Sequence, residues 1–301
     1  MKKVAIMGAR GFVGKHLTEH LKNKYLVFPV TRDDFSLLDE DKVKHFIESK
    51  QIDIIIHCAN EGGSRKANYE TDVVKNNLKM FFNLERCLNK ERKLITFGSG
   101  AQYNKARNLI KITEQSMDEI VPEDAYGYSK YVISKYIKGK SNIYNPIIFG
   151  LFGRYEDYSF KFISNAIIKN ILRMPIIINQ NVVFDYLYIE DFLKIMDYLL
   201  ENECKYNEFN MTPSTSIDLL TIAQLINECS IYKSEIILNH EGLNYQYTGD
   251  NSRMLENIGG FEFTSYKDSI GELYRYYYQN MDKIDSQMIK ADKYINICKV
   301  K

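Results

Sequence analysis

The sequence has almost no excess of charge, since 40 basic and 39 acidic residues leave a net charge of +1 over 301 residues. Nucleic-acid-binding proteins need a positive field, so we expect no nucleic-acid partner. The sequence also lacks a long apolar run. The apolar stretch near the N-terminus breaks at Gly8, and we therefore expect neither a signal peptide nor a membrane segment. No internal repeat or low-complexity linker stands out.

Cysteine is scarce as well. The five cysteines are Cys58, Cys87, Cys204, Cys229 and Cys298. They do not have the paired spacing that is typical of zinc sites or redox motifs, so we expect no metal. Cys58 and Cys87 lie in apolar stretches, which is typical of small buried residues. Few cysteines without paired spacing indicate a protein of the reducing cytoplasm.

A strand, a glycine-rich turn and a helix are predicted at the N-terminus. Three glycines spaced three apart follow the apolar strand 4–7. A pyrophosphate needs backbone N–H donors and the positive end of a helix, and it can approach closely only where side chains are absent. Gly8 should permit the turn, Gly11 the approach of the phosphate, and Gly14 the packing of helix on strand. The candidate cofactor residues of this segment are Gly8, Arg10, Gly11, Phe12, Val13 and Gly14.

A second pattern indicates proton transfer beside that cofactor. Tyr126 and Lys130 are four apart, so they lie on one helix face. A phenol titrates near pH 10, and a nearby ammonium lowers its pKa. Ser99 follows the apolar run 94–97, and this strand should end at the same sheet edge as the glycine turn. We predict Ser99, Tyr126 and Lys130 as the catalytic residues.

Together these motifs resemble the extended short-chain dehydrogenase/reductase family of nucleotide-sugar epimerases, dehydratases and ketoreductases. Asn77 resembles the family's helix asparagine, and residues 184–191 resemble a stretch of its second half. In motif style the chain is most similar to the GDP-fucose synthase and 4-ketoreductase branch. The resemblance implies an α/β fold, a Rossmann-like doubly wound parallel sheet with a smaller C-terminal substrate lobe.

Apolar periodicity predicts the same alternation of strands and helices. Strands are predicted at 25–30, 51–58, 94–97 and 142–149, helices at 41–50, 73–88 and 125–137. In the second half a helix is predicted at 158–171, a short strand pair at 174–183 and a helix at 217–229. We predict a dinucleotide-binding domain at 1–150, to which 185–200 returns. The ranges 151–184 and 201–301 form the substrate lobe and the C-terminal tail.

Two residues after the second strand bear on the choice of cofactor. An acid there suits the ribose of NAD, whereas an arginine suits the phosphate of NADP. Thr31 and Arg32 come first, and Arg10 lies in the glycine turn, so NADP(H) is favoured. NAD(H) stays possible if Asp33 turns toward the ribose. The other cofactor residues implied by the resemblance are Ser36, Leu37, Cys58, Ala59, Asn60, Asn77, Phe97, Gly98, Ile148 and Leu151, with Tyr126 and Lys130.

Departures from the family's residue pattern reduce the number of reactions that we expect this chain to catalyse. The dehydratases carry acids after the active-site hydroxyl residue, but Gly100 and Ala101 follow Ser99. Fucose synthases use a cysteine where Ala101 stands and a histidine on a later loop, but the loop 154–161 has no histidine. Dehydration and 3,5-epimerisation are therefore disfavoured. Hydride transfer remains, which implies an NADPH-dependent reductase of a 4-keto nucleotide sugar for surface polysaccharide.

Two alternatives stay open, a 4-epimerase with tightly bound NAD and a non-catalytic regulator that senses dinucleotides. The partner is expected to be a nucleotide-diphosphate sugar, with no nucleic acid and no membrane, and a homodimer is possible. The substrate is expected to contact Ser99, Gln102, Tyr126 and Arg173.

Overall fold

Strands and helices alternate along the first half of the chain, as the apolar periodicity predicts. The computed structural model describes residues 1–63, 72–292, 295, 298, 300 and 301. The strands are β1 Lys3–Met7, β2 Leu26–Val30, β3 Ile54–His57, β4 Lys93–Thr96, β5 Gly98–Ser99, β6 Leu109–Ile112, β7 Ile143–Ile148, β8 Gly150–Phe152, β9 Ile176–Asn181, β10 Val183–Phe184, β11 Tyr186–Tyr188, β12 Glu208–Met211, β13 Ile217–Asp218, β14 Ile236–Leu243 and β15 Tyr247–Gly249. The helices are α1 Phe12–Leu21, α2 Glu40–Lys50, α3 Val73–Glu85, α4 Ala125–Ile137, α5 Phe162–Ile171, α6 Ile189–Glu201, α7 Leu219–Glu228, α8 Ser252–Ile258, α9 Tyr266–Gln279 and α10 Ser286–Lys290.

The central sheet is parallel, with the strand order β12-β7-β4-β3-β1-β2 and the short β5 also paired to β7. Every residue of β3 is buried, because helices cover both faces. Apolar residues of α2, α3 and α4 form one core cluster with the sheet, and those of α1 and α6 belong to another. The predicted doubly wound α/β class is therefore confirmed. Parallel strands point their carboxyl ends to one edge, so the turns after β1, β3 and β4 are neighbours.

Several predicted bounds shift in the structure. The helix α4 spans the predicted residues, whereas α5 begins only at Phe162 rather than at residue 158. The helix predicted at 217–229 begins at Leu219, because Asp218 caps it by accepting hydrogen bonds from the backbone N–H groups of Leu220 and Thr221. The strand pair predicted at 174–183 is wrong. The continuous strand β9 instead pairs in parallel with the distant β14.

A second sheet of four strands has the order β13-β10-β15-β6. Its edge strand β6 comes from the predicted dinucleotide-binding range, whereas the other three come from later in the chain. Conversely, β12 lies within the range 201–301 but extends the central sheet by pairing with β7. The range 1–150 thus supplies β6 to the second sheet, and the range 201–301 supplies β12 to the central sheet.

Helix length and hydropathy bear on membrane insertion. Within the described ranges, no helix is both long and apolar enough to cross a membrane.

Candidate active site

The glycine turn forms a cradle at the start of α1. Gly8 has a φ of +88°, and a Cβ added there would lie 2.8 Å from the backbone nitrogen of Ala59. A Cβ at Gly14 would overlap the Gly8 carbonyl oxygen, so the helix packs directly on the turn. Gly11 precedes α1 and donates its N–H to the Gly8 carbonyl at 3.0 Å. Phe12 and Val13 form the first helical turn, whose backbone N–H groups point toward an incoming anion.

The loop after β2 brings a cation and an anion together beside this cradle. The guanidinium of Arg10 lies 2.5 Å from the carboxylate of Asp33, and both side chains are largely exposed. Asp34 turns back into the loop, where its carboxylate accepts hydrogen bonds from the Thr31 backbone N–H and hydroxyl, each at 2.8 Å. Arg32 is exposed. Asp33 therefore neutralises part of the positive charge predicted at this position.

Hydrogen bonds to neighbouring residues fix Ser36 and Leu37, which come next in this loop. The Ser36 hydroxyl accepts a hydrogen bond from the Leu38 N–H at 3.2 Å. Leu37 is buried, and its carbonyl accepts one from the Asn83 side chain at 2.8 Å.

The turn after β3 lies between the glycine cradle and the catalytic helix. Burial raises the pKa of the Cys58 thiol to about 12, so this cysteine is inert. Asn60 donates its side-chain amide to the Gly62 carbonyl at 3.2 Å. Gly63 packs on the Tyr126 ring, where an added Cβ would lie 2.8 Å from the ring carbon that carries the hydroxyl. The turn therefore borders both the predicted cofactor site and the phenol.

Asn77 holds this turn in place. Its side-chain oxygen accepts the Glu61 N–H at 2.7 Å, and its amide donates to the Glu61 carbonyl at 2.9 Å. The same amide donates to the Ser129 hydroxyl at 3.1 Å. Ser129 in turn donates to the Tyr126 carbonyl at 2.8 Å. Asn77 therefore ties the turn to the catalytic helix.

Tyr126 and Lys130 lie on one face of α4, as their spacing predicts. Asp124 caps this helix by accepting the Gly127 N–H at 3.0 Å. The ammonium of Lys130 donates to the Phe97 carbonyl at 2.7 Å and lies 5.6 Å from the Tyr126 ring centre. The Ser99 hydroxyl lies near enough to the Tyr126 phenol to act on its pKa. The three predicted catalytic residues therefore meet at one place.

Ser99 is positioned by the short strand β5. Gly98 and Ser99 pair with Ile147 and Ile148 of β7. Beyond Ser99 the chain forms a single 3-10 turn, residues 100–103, which Ser99 caps.

Burial dominates the electrostatics of this site. It raises the pKa of Tyr126, and the nearby Ser99 hydroxyl opposes that rise only in part. Burial also lowers the pKa of Lys130 to about 8. We predicted that Lys130 lowers the pKa of Tyr126, but the structure differs. The cost of burying a phenolate outweighs other influences, and the ammonium of Lys130 is bonded to the Phe97 carbonyl.

Two residues that we predicted to contact the substrate, Gln102 and Arg173, make other contacts in the structure. Gln102 is fully buried, since its side-chain oxygen accepts the Ser99 N–H at 3.2 Å and its amide lies 3.5 Å from the Met117 sulfur. Its position does not match the expected contact with a sugar. Arg173 is exposed after α5, and its carbonyl accepts a hydrogen bond from the Tyr232 hydroxyl at 3.2 Å. The side chain of Arg173 lines neither of the two cavities described here.

One residue at the site escaped the sequence analysis. The hydroxyl of Tyr247, on β15, lies near Ser99 and against Gly100. Tyr247 carries no motif, and only the pairing of β15 with β6 and β10 brings it to Ser99. With 23 tyrosines in the chain, composition alone could not have selected it.

A cavity of about 140 Å³ opens beside Gly63, in the turn after β3 that packs on Tyr126. Its lining includes Gly63, Phe149, Leu151, Phe160, Phe184 and Tyr186. Glu156 and Lys161 add charged groups, and burial raises the pKa of Glu156 to about 7. A second cavity of about 200 Å³ lies on the other side of Phe152 and Tyr186, which line both. In the part of the chain that the structure describes, no three His, Cys, Asp or Glu residues cluster as metal ligands.

Comparison with known proteins agrees with this geometry. The NAD dependent epimerase/dehydratase family matches residues 4–211. The chain belongs to this family. It is therefore a nicotinamide-dinucleotide-dependent enzyme, an oxidoreductase or an epimerase, and the predicted resemblance is confirmed.

Individual relatives are distant. The ADP-L-glycero-D-manno-heptose-6-epimerase of Brachyspira hyodysenteriae is 24% identical over 275 residues, which cover 78% of this chain and 82% of that protein. The structure of a GDP-L-fucose synthetase from Naegleria fowleri superposes with a TM-score of 0.78 at 18% identity, covering 93% of this chain and 94% of that one. A GDP-mannoheptose C4 reductase from Campylobacter jejuni, solved with NADP bound, superposes with a TM-score of 0.76 at 18% identity, covering 92% and 98%. These structures share the fold of this chain.

Proposed function

We propose that this enzyme is an NADPH-dependent reductase of a 4-keto nucleotide sugar. The observation that carries the proposal is the proximity of Ser99, on strand β5, to Tyr126, on helix α4. The cysteine and the loop histidine that fucose synthases use are both missing, because Ala101 stands at the first position and the loop 154–161 has no histidine. Two hydroxyl groups beside a cofactor cradle suit reduction of a carbonyl.

The residues fit a nicotinamide dinucleotide. Added Cβ atoms would fill the cradle at Gly8 and Gly14, which leaves room for a pyrophosphate at the start of α1. Lys130 keeps spare N–H donors for a ribose after its bond to Phe97. When bound, the cofactor supplies hydride to the carbonyl carbon. Arg10 and Arg32 support NADPH, although Asp33 lowers the local positive charge.

Tyr126 is the proposed proton donor. Burial raises the pKa of this phenol, so it is protonated at neutral pH and ready to give its proton to the carbonyl oxygen. Ser99 holds that oxygen beside Tyr126 by donating a hydrogen bond. Asn77 and Ser129 orient the segment that carries Tyr126, since they bond to its backbone and to the adjoining turn.

Epimerisation is the second candidate, and Glu156 favours it. This buried acid lines the cavity, and its pKa of about 7 would let it exchange a proton at C3 or C5 of a keto sugar, the carbons next to the carbonyl. The relative from Brachyspira hyodysenteriae bears the name of an epimerase. An epimerase that retains its cofactor consumes no NADPH, whereas a reductase consumes one molecule per product.

The test is a panel of 4-keto sugars on different nucleotides, with NADPH absorbance and product followed together. We expect stoichiometric loss of NADPH with at least one substrate. No reduction of any 4-keto sugar, together with interconversion of nucleotide sugars that carry a C4 hydroxyl and without NADPH loss, would replace the reductase by the 4-epimerase.

The same reaction in deuterated water tests proton exchange at carbon. We expect the product to carry no solvent deuterium at C3 or C5 above a control without enzyme. Deuterium there in the wild type, lost in Glu156→Gln, would assign epimerisation to Glu156.

We also propose a cytoplasmic location, which the scarcity of cysteine in the sequence supports. A homodimer stays a prediction. Measuring the molecular mass of the protein in solution tests it.

A further inference from the structure

Gln102 places a buried amide against the backbone of Ser99. Its side chain is fully buried, and its Oε1 accepts the Ser99 N–H at 3.2 Å. The Ser99 hydroxyl caps the 3-10 turn 100–103, where its oxygen accepts the Ala101 N–H at 3.3 Å. Ser99 and Gln102 therefore form a capping box, a reciprocal pair in which each side chain accepts a hydrogen bond from the backbone.

The neighbours of this capping box hold Gln102 in place. Gly98 leaves the space that the amide needs, since a Cβ there would lie 2.8 Å from the Gln102 Oε1. The amide nitrogen lies 3.5 Å from the sulfur of Met117, a weak acceptor. The next residue, Tyr103, anchors the end of the turn by donating its hydroxyl to the Asn210 side chain at 2.8 Å. Gln102 thus belongs to a turn whose two ends are both fixed.

The choice of an amide at this position is explained by Ser99 rather than by packing. Burying an amide costs free energy unless its polar atoms are well bonded. Here the nitrogen meets a weak acceptor, whereas the oxygen bonds the backbone of a proposed catalytic residue. An apolar side chain of similar size would pack against Met117 without burying an amide nitrogen.

We propose that Gln102 is a positioning residue, whose bond to the Ser99 N–H fixes the Ser99 hydroxyl for its contact with the carbonyl oxygen of the substrate. This inference rests on the proposed function and adds a residue that acts on the substrate through Ser99. It also gives Gln102, which we predicted to contact the sugar, a role that its burial allows.

The hydrogen bonds of Ser99 show how this positioning works. A hydroxyl has one proton and also accepts hydrogen bonds. Because the Ser99 oxygen accepts the Ala101 N–H, it faces the 3-10 turn and keeps its proton available for another partner. In the proposed reaction that partner is the carbonyl oxygen. Without Gln102 the Ser99 N–H loses its acceptor, so the backbone that carries the hydroxyl has to move to find another.

The first test removes the acceptor. Gln102→Met keeps an unbranched side chain of similar length, and we expect kcat to fall roughly tenfold or more with NADPH affinity kept, because a small displacement of a catalytic group slows a reaction strongly. Gln180→Met is the matched control, since Gln180 is buried on β9 and its Oε1 accepts the Lys301 N–H at 2.9 Å. It should keep the wild-type kcat even where its Tm falls as far. An unchanged kcat in Gln102→Met would overturn the proposal.

A double-mutant cycle shows whether Gln102 acts through Ser99. In the Ser99→Ala background, Gln102→Met should reduce kcat by no more than about twofold, because the hydroxyl that it positions is already absent. Single turnovers with enzyme in excess measure these slow variants. Equal losses from Gln102→Met in both backgrounds would contradict the proposal, since residues that act independently give additive losses.

Hydrogen exchange separates this inference from the proposed function, because it needs no substrate. We expect the Ser99 amide, followed by NMR, to exchange roughly tenfold or more faster in Gln102→Met than in the wild type. Equal rates would reject the capping box. The kinetic measurements use whichever reaction the enzyme catalyses, so replacement of the reductase by the epimerase leaves the test of Gln102 in place.

A second variant covers the case in which Gln102→Met does not fold. Gln102→Asn keeps the amide but is shorter, so it withdraws the oxygen from the Ser99 N–H. We expect the same loss of kcat and the same faster exchange of the Ser99 amide. Wild-type values of both in Gln102→Asn would overturn the proposal.

Discussion

At the scale of single residues, the proposed role of Tyr126 as the proton donor can be tested most directly. Tyr126→Phe removes the donor and keeps the ring that packs on Gly63. We expect turnover to fall by a factor on the order of a hundred or more, with NADPH affinity largely kept. Tyr128→Phe, on the exposed side of the same helix, is the control and should be near wild type. Near-normal turnover in Tyr126→Phe would remove this residue from the mechanism.

Cofactor choice is also decided by single residues. Arg32→Ala should weaken NADPH by roughly ten- to a hundredfold and NADH much less, because a charge-assisted contact to the phosphate is lost. Asp33→Asn should shift the preference the other way, since it frees Arg10 from its 2.5 Å ion pair. Titration of both cofactors into each variant at fixed salt is the measurement. Equal losses of NADPH and NADH in Arg32→Ala would mean that this arginine only supports the loop.

At the scale of elements, the turn after β3 controls the phenol. Gly63 has a φ of +72° and packs on the Tyr126 ring. Gly63→Ala adds both backbone strain and a clash with that ring, so we expect a loss of turnover beyond any loss of stability. Gly242 has a φ of +77° with no atom within 4 Å of an added Cβ.

Gly242→Ala therefore introduces comparable backbone strain without the clash. Measuring Tm and kcat for both variants separates the two effects. A kcat in Gly63→Ala as high as in Gly242→Ala would contradict a role for the turn in positioning Tyr126.

Elements with local signals could be predicted from the sequence, and those defined by distant pairing could not. The glycine turn, Ser99 and the Tyr126–Lys130 pair each follow an apolar strand or share a helix face, so spacing alone indicates their positions. The strands β10, β13 and β15 have two or three residues each, too few for a period to emerge. Tyr247 was missed for that reason. The pKa of Tyr126 was misjudged because burial depends on contacts that no spacing reveals.

At the scale of the whole molecule, pH dependence of stability follows from a buried histidine. His57 ends β3 inside the central sheet, and burial lowers its pKa from 6.5 to about 3. Between pH 6.5 and about pH 3, His57 is protonated in the unfolded chain but stays neutral in the folded chain. This group therefore makes the free energy of unfolding fall as pH decreases from 6.5 toward 3, by at most about 1.4 kcal/mol per pH unit.

His57→Gln should flatten that fall, provided that the variant folds at pH 7. His240→Gln, at an exposed position, is the control and should follow the wild type. Urea unfolding at pH 4, 5, 6 and 7 gives the slopes. A slope in His57→Gln as steep as in the wild type would assign the pH dependence to other groups.

The exchange of strands between the two sheets has a consequence for synthesis on the ribosome. The strand β6 is made early, but β15, its neighbour among the described strands of the four-stranded sheet, is made long afterwards. At about 5–20 residues per second, the nascent chain carries β6 without that partner for on the order of ten seconds. The side chain of Leu109 packs with Tyr103, Met117 and Ile147, which are made before β15, but the β15-facing edge of β6 lacks its strand during that interval. We therefore expect the emerging chain to carry a strand edge that can pair with other chains until residue 249 has left the exit tunnel.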